Sequence, residues 1–259
     1  KATIVALVGC INGYSSMYSN IHVCINGQNI TNSAILEWEK RRARLVLKKL
    51  GLSPKSKDLL ELRELLLKRK SELGQNKIKA LLKKELIISD FFAKLIARLS
   101  FGYRRLSSIE IFVENARAEQ FVEWFEKCTN QNNEQAMLAG TPDHYLISTN
   151  NGAQEVIETN GGSPLVAHFY IDYNELSSLR SRVDLSFPLQ IAGVARSKDG
   201  FAIGGVRHQF RNEEKGFRAK LTVEYPLLIL PTVISGHQWH LANEFSNWIS
   251  AAFGWSFNH

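Results

Sequence analysis

No apolar run in this 259-residue chain approaches the roughly 20 residues that cross a bilayer, which argues against a spanning helix. Cysteine is scarce. Cys10, Cys24 and Cys128 lie far apart without CxxC spacing, so neither a zinc knuckle nor a dense disulfide framework is indicated. A reducing compartment is the default for such a chain, and a cytoplasmic protein is expected. Also missing are a Gly-rich phosphate loop, a dinucleotide fingerprint, a nucleophile elbow and a kinase signature, which removes the usual means of nucleotide chemistry. There is no internal repeat and no low-complexity block.

What is present is an ordinary globular composition, 44% hydrophobic and 22% charged, which excludes wholesale disorder. The net charge of +7 is unevenly spread. Residues 34–105 hold 20 Lys/Arg against 8 Asp/Glu, and the remainder is net acidic. Such a field attracts nucleic acid or anionic lipid. It equally fits solvated helix faces whose Lys and Arg stems cover apolar surface. The opening Lys1 to Cys10, with Leu7-Val8-Gly9-Cys10, resembles a short bacterial lipoprotein signal, although a buried first strand or helix accounts for it as well. Asn29-Ile30-Thr31 is a formal glycosylation triplet.

The periodicity predicts an α+β chain in two parts, 1–105 and 106–259. Thr31, Asn32 or Ser33 caps a helix over 34–50 that Gly51 closes. Ser53-Pro54 opens a second helix, and a third spans 77–99. After a short strand at 109–113, residues 116–138 read as one helix. Strands are then expected at 145–148, 154–159, 165–173, 189–197, 201–211 and 216–226. Their turns carry Asn150-Asn151-Gly152, Asn160-Gly161-Gly162 and Lys198-Asp199-Gly200, whose residues tolerate positive φ. Residues 231–253 form a long final helix with Trp239, Phe245, Trp248 and Ile249 as packing residues. A curved antiparallel sheet closed by such a helix is a helix-grip (Bet v 1-like) architecture, and it leaves a cavity suited to a small molecule.

Candidate chemistry concentrates in the second part. His240 and Glu244 are four apart on the last helix and project from one face, where an imidazole and a carboxylate can hold one metal ion. His144 sits where the preceding helix gives way to a strand. Glu155 and Glu158 lie three apart on another and point to opposite faces, so only one can enter a cavity. His168 and His208 sit within apolar strands, as ligands, general bases or hydrogen-bonded core residues.

A helix with Trp124-Phe125, then Met137-Leu138 and His144, is followed by a strand with a glutamate before a Gly-rich turn and by a final helix with HxxxE. This order, over residues 108–255, resembles the 2,4-diacetylphloroglucinol hydrolase and phloretin hydrolase family. The resemblance implies a helix-grip domain holding Zn²⁺ through His144, Glu158, His240 and Glu244, with Glu155 as the alternative to Glu158. It also implies hydrolysis of the bond between an acyl group and a phenolic ring. The proton needed by the ring carbon then calls for an acid or base, with His208, Tyr145 and His168 as the available residues. Phe169, Trp239 and Trp248 are candidate walls for an aromatic substrate. The competing readings are a non-catalytic helix-grip module that binds an apolar small molecule and, on the basic helices, a nucleic-acid-associated protein. The latter lacks any recognition-helix or aromatic-and-basic sheet motif.

Overall fold

The computed structural model describes residues 18–130, 134–150, 152–161 and 163–255. Cys10 and the lipoprotein-like opening fall outside them. Nine strands form one antiparallel sheet: β1 (Ile21–Ile25), β2 (Gln28–Ile30), β3 (Arg104–Glu114), β4 (His144–Asn150), β5 (Ala153–Glu158), β6 (Ala167–Asp172), β7 (Leu189–Arg196), β8 (Ala202–Glu213) and β9 (Gly216–Pro226). Their spatial order is β2-β1-β3-β9-β8-β7-β6-β5-β4, so β4 to β9 are a meander in which each strand pairs with its successor. The helices are α1 (Asn32–Lys49), α2 (Leu59–Leu99), α3 (Ala118–Asn130), α4 (Glu134–Leu138) and α5 (Pro231–Ala252).

Local chemistry sets most boundaries. Thr31 caps α1 by accepting the Ala34 N–H at 3.3 Å, and Gly51 takes the positive φ, +80°, that follows its end. The second helix starts later than the Ser53-Pro54 signal suggests. Asp58 is the cap, because its carboxylate accepts both the Leu60 and Glu61 N–H groups at 2.9 and 3.1 Å. At Gly74 (φ 65°, ψ 167°) the helix breaks, which divides α2 where two helices were expected. Residues 116–138 are likewise two helices and not one.

The boundary at 105 does not interrupt the sheet. β1 pairs with β3 through Ile21↔Val113 to Cys24↔Glu110, so the N-terminal part contributes two strands. One face of the sheet carries the main core, where Ile111, Val113, Phe210, Phe217 and Leu221 meet Phe121 and Phe125 of α3 and Leu241, Phe245 and Ile249 of α5. On the other face, Tyr145, Leu146, Ile157 and Val166 pack with Ala43, Leu47, Leu62, Leu66 and Leu82 of α1 and α2. The basic helices therefore wrap the sheet. They also grip α5 through a buried polar network: Arg63 donates to Glu39 at 2.5 and 2.6 Å and to Asn247 at 2.9 Å, and Asn243 donates to Glu39 at 2.7 Å. No helix among the described residues is long and apolar enough to cross a membrane.

Candidate metal centre

Between α5 and the sheet lies a cavity of about 170 Å³, and at one end of it four side chains converge. His144 comes from the start of β4, Glu158 from the end of β5, and His240 and Glu244 from successive turns of α5. His144 pairs directly with Glu158 across the β4–β5 ladder. The other two arrive because α5 crosses very close to the turn after β5. A Cβ on Gly236 would stand 1.7 Å from the Gly161 oxygen, and one on Gly161 would stand 2.2 Å from the His237 nitrogen. Two residues without side chains thus let the helix descend onto Glu158.

The donor atoms face one another. His144 Nε2 lies 2.9 Å from Glu244 Oε1 and 3.4 Å from Glu158 Oε2, and His240 Nε2 lies 3.7 Å from Glu158 Oε2 and 3.9 Å from Glu244 Oε1. Metal–ligand bonds of about 2.0–2.1 Å in a tetrahedron put neighbouring donors about 3.3 Å apart. The four separations bracket that edge, and the donors form two overlapping groups that could hold an ion, His144 with His240 and Glu244, and Glu158 with His237 and His240.

The surroundings orient the rings. His144 Nδ1 lies 3.2 Å from the Met137 carbonyl, which can only accept, so this nitrogen carries the proton and Nε2 is the donor atom. The same oxygen receives the Trp248 indole N–H at 3.2 Å. His240 Nδ1 makes no hydrogen bond among the described residues and faces Asp143 Oδ2 at 3.9 Å. Asp143 in turn accepts three hydrogen bonds from Arg42 of α1, at 2.6, 2.9 and 3.1 Å. Burial opposes charge on His144, but the Glu158 and Glu244 carboxylates overcome it and raise its pKa to about 9. Burial alone would raise the Glu158 carboxyl, yet His240 and His144 bring it down to about 2. In the absence of an ion a proton on His144 bridges the carboxylates, so an ion taking that place displaces it.

His237 was not singled out from the sequence, although it stands one turn before His240 on the same helical face, a visible i, i+3 signal. It joins Glu158 and His240 in a second group of potential donors, and its ring stacks on that of His240 at 5.2 Å and 10°. Its Nδ1 meets Ser107 Oγ at 3.1 Å. Burial, reinforced by His240, takes its pKa down to about 3.

The other sequence candidates divide by strand face. His208 lines the cavity, but its Nδ1 accepts the Thr222 N–H at 3.3 Å and burial lowers its pKa to about 3. It is therefore a neutral ring with Nε2–H available as a donor, which does not suit the proton-shuttling role expected of it. Tyr145 belongs to the opposite core, since it directly follows inward-facing His144 on β4, and its hydroxyl meets Thr159 Oγ1 at 3.2 Å. His168 is also on that side. It pairs with Glu155 at 2.7 Å, and Glu155 pairs with Lys79 at 2.7 Å. Tyr145 and His168 are thus corrected to structural positions, and Glu155 is removed as a rival ligand because odd and even residues of β5 face opposite sides. Phe169 and Trp248 line the cavity as expected. Trp239 packs against the main core instead.

No family model matches the chain, and neither does any curated protein. Among solved structures, the crystal structure of protein Ms6760 from Mycobacterium smegmatis aligns with 59% of this chain and 92% of its own, at 13% identity and a TM-score of 0.35, a likeness that carries no argument about function.

Proposed function

We propose that this protein is a metal-dependent hydrolase of helix-grip architecture that cleaves a carbon–carbon bond in a small acyl phenol or related ketone. The observation that carries this reading is the convergence of His144, Glu158, His240 and Glu244, with donor separations of 2.9 to 3.9 Å, at the end of an apolar cavity. Zinc suits the two-imidazole, two-carboxylate set, and when bound it supplies a hydroxide near neutral pH and polarises a carbonyl oxygen.

The remaining roles fall to the chain's own groups. Phe169, Phe125 and Trp248 give an aromatic ring apolar walls. The His208 Nε2–H holds a substrate oxygen by hydrogen bonding. His237, with Nδ1 tied to Ser107, turns the Nε2 lone pair toward the water and orients it by accepting a hydrogen bond, while the ring itself stays neutral; the proton of the water ends on the ring carbon as the acyl–ring bond breaks. Atoms balance as one water consumed, with a carboxylic acid and the deacylated phenol released.

Metal analysis of the purified protein, together with an assay on acylphloroglucinols, tests the reading. Near-stoichiometric zinc that is lost in His240→Ala, and turnover lost with zinc retained in His237→Asn, are the expected results. A protein that takes up no metal yet binds apolar phenols would identify a binding module and overturn the hydrolase reading.

A further inference from the structure

The far half of α2 carries its largest side chains outward. Leu81, Ile88, Phe92, Leu95 and Leu99 recur at spacings of seven, four, three and four residues and form one exposed stripe. Beside it Phe91 is 61% exposed, and just beyond the helix Phe101 is 83% exposed. A second apolar segment, the β9–α5 connection, joins this surface. Leu227 N–H donates to the Tyr103 carbonyl at 3.0 Å and Leu228 N–H to Ser100 Oγ at 3.2 Å, and Leu227, Leu228 and Leu230 all point to solvent. The lining of the cavity runs out to Ala93, Ile96, Pro226 and Ile229 on the same face, with Ile96 one turn from both Phe92 and Leu99.

Charge decides what covers this surface. Lys84 and Arg98 are exposed on the flank of the stripe and Lys83 is exposed further round the helix; among the described residues no carboxylate pairs with them, and Arg98 lies over the Phe201 ring at 5.1 Å. The two acids of that half-helix are already engaged, Glu85 by Lys49 at 2.6 Å and Asp90 by Lys94 at 2.6 Å. Asp199 also pairs with Lys94 at 3.0 Å, yet the excess charge along this face stays positive, and a two-fold dimer through it would set that excess against itself. An apolar stripe with cations free of carboxylate partners alongside is instead the pattern of a helix lying in the boundary layer of an anionic bilayer.

We infer that the outer face of α2 and the 227–230 loop form a docking surface for anionic lipid membranes, set against the mouth of the cavity. The docking does not depend on metal chemistry, so it stands or falls separately from the hydrolase reading. The full chain is mixed with vesicles of phosphatidylcholine alone, or with about 30% phosphatidylserine, and sedimented. Binding to the phosphatidylserine vesicles only, weakening as salt rises, is expected. Neutralising two cations in Lys83→Gln/Lys84→Gln is expected to weaken partitioning about thirtyfold. Leu230→Glu, at a position 65% exposed, and independently Phe101→Glu, are expected to abolish binding with an unchanged thermal melt. Failure to sediment with phosphatidylserine vesicles, equal binding to both compositions, or a solution dimer that Leu230→Glu dissociates would each overturn the inference.

Discussion

Replacing Gly236 by alanine tests the candidate metal centre apart from the rest of the fold. In an ordinary helix the change is stabilising by about 0.5–1 kcal/mol, because alanine loses less backbone freedom on folding. Here the added methyl would lie 1.7 Å from the Gly161 oxygen and 2.9 Å from its carbonyl carbon. Ordinary contact begins near about 3.4 Å, so helix and turn must separate by about 1.7 Å. Overpacking of this kind costs about 1–3 kcal/mol, which exceeds the propensity gain and reverses the sign expected from helix rules. A metal site tolerates only about 0.2 Å in its bond lengths, and His240 lies one turn from Gly236, so His240 and Glu158 are pulled apart beyond recovery. Calorimetric zinc titration is expected to show loss of high-affinity uptake, and chemical denaturation a loss of about 1–2 kcal/mol, with sheet circular dichroism retained. Ser235→Ala, on the exposed neighbouring position, is expected to bind zinc like the parent. Undiminished zinc affinity in Gly236→Ala would refute the idea that this close approach builds the site.

Two further tests probe the other face. Lys70 is buried with its ammonium on the Pro142 carbonyl at 3.2 Å, and burial, partly opposed by Asp143, lowers its pKa from 10.5 to about 7. The unfolded chain holds that proton more tightly, so stability rises with pH between about 7 and 10.5, by up to roughly 5 kcal/mol. Lys70→Met should be more stable than the parent at pH 7 and flatten this slope in denaturant titrations at pH 7 and 9, and parallel slopes in the two proteins would sink the assignment. Glu155→Gln, which breaks the pairs with Lys79 and His168, is expected to leave zinc content and turnover intact, and depletion of zinc in that variant would restore Glu155 as a ligand.

Much of the candidate site is written in short-range patterns. His240 and Glu244 share a helix face at a spacing any α-helix imposes, and the turn at Gly161 marks the end of the strand that carries Glu158. Strand alternation alone also assigns Tyr145 to the face opposite His144, and His168 to that opposite Phe169, so those two assignments had a signal that was not used. The bulge between His144 and Leu146 is different. It sends Tyr145 and Leu146 to the same core and returns Ile147 to the cavity, which no period-two reading anticipates. The tertiary contacts were equally hidden. Nothing local in Ile21–Ile25 specifies pairing with β3, and nothing in Arg42 or Glu39 announces that a surface-looking basic helix will hold Asp143 and Asn243 from behind α5.

The order of the strands also has a kinetic side. From β4 to β9 each strand closes on the one just made, so this part of the sheet can zip by short steps. By contrast, β3 must wait for β9, whose residues stand across from it in pairs such as Arg104↔Pro226, and α5 follows β9. Two of the four donors therefore reach the others only after the slowest closure is complete. The complete donor set then forms only when α5 docks, and the rate of zinc capture by a refolding sample becomes a clock for that step.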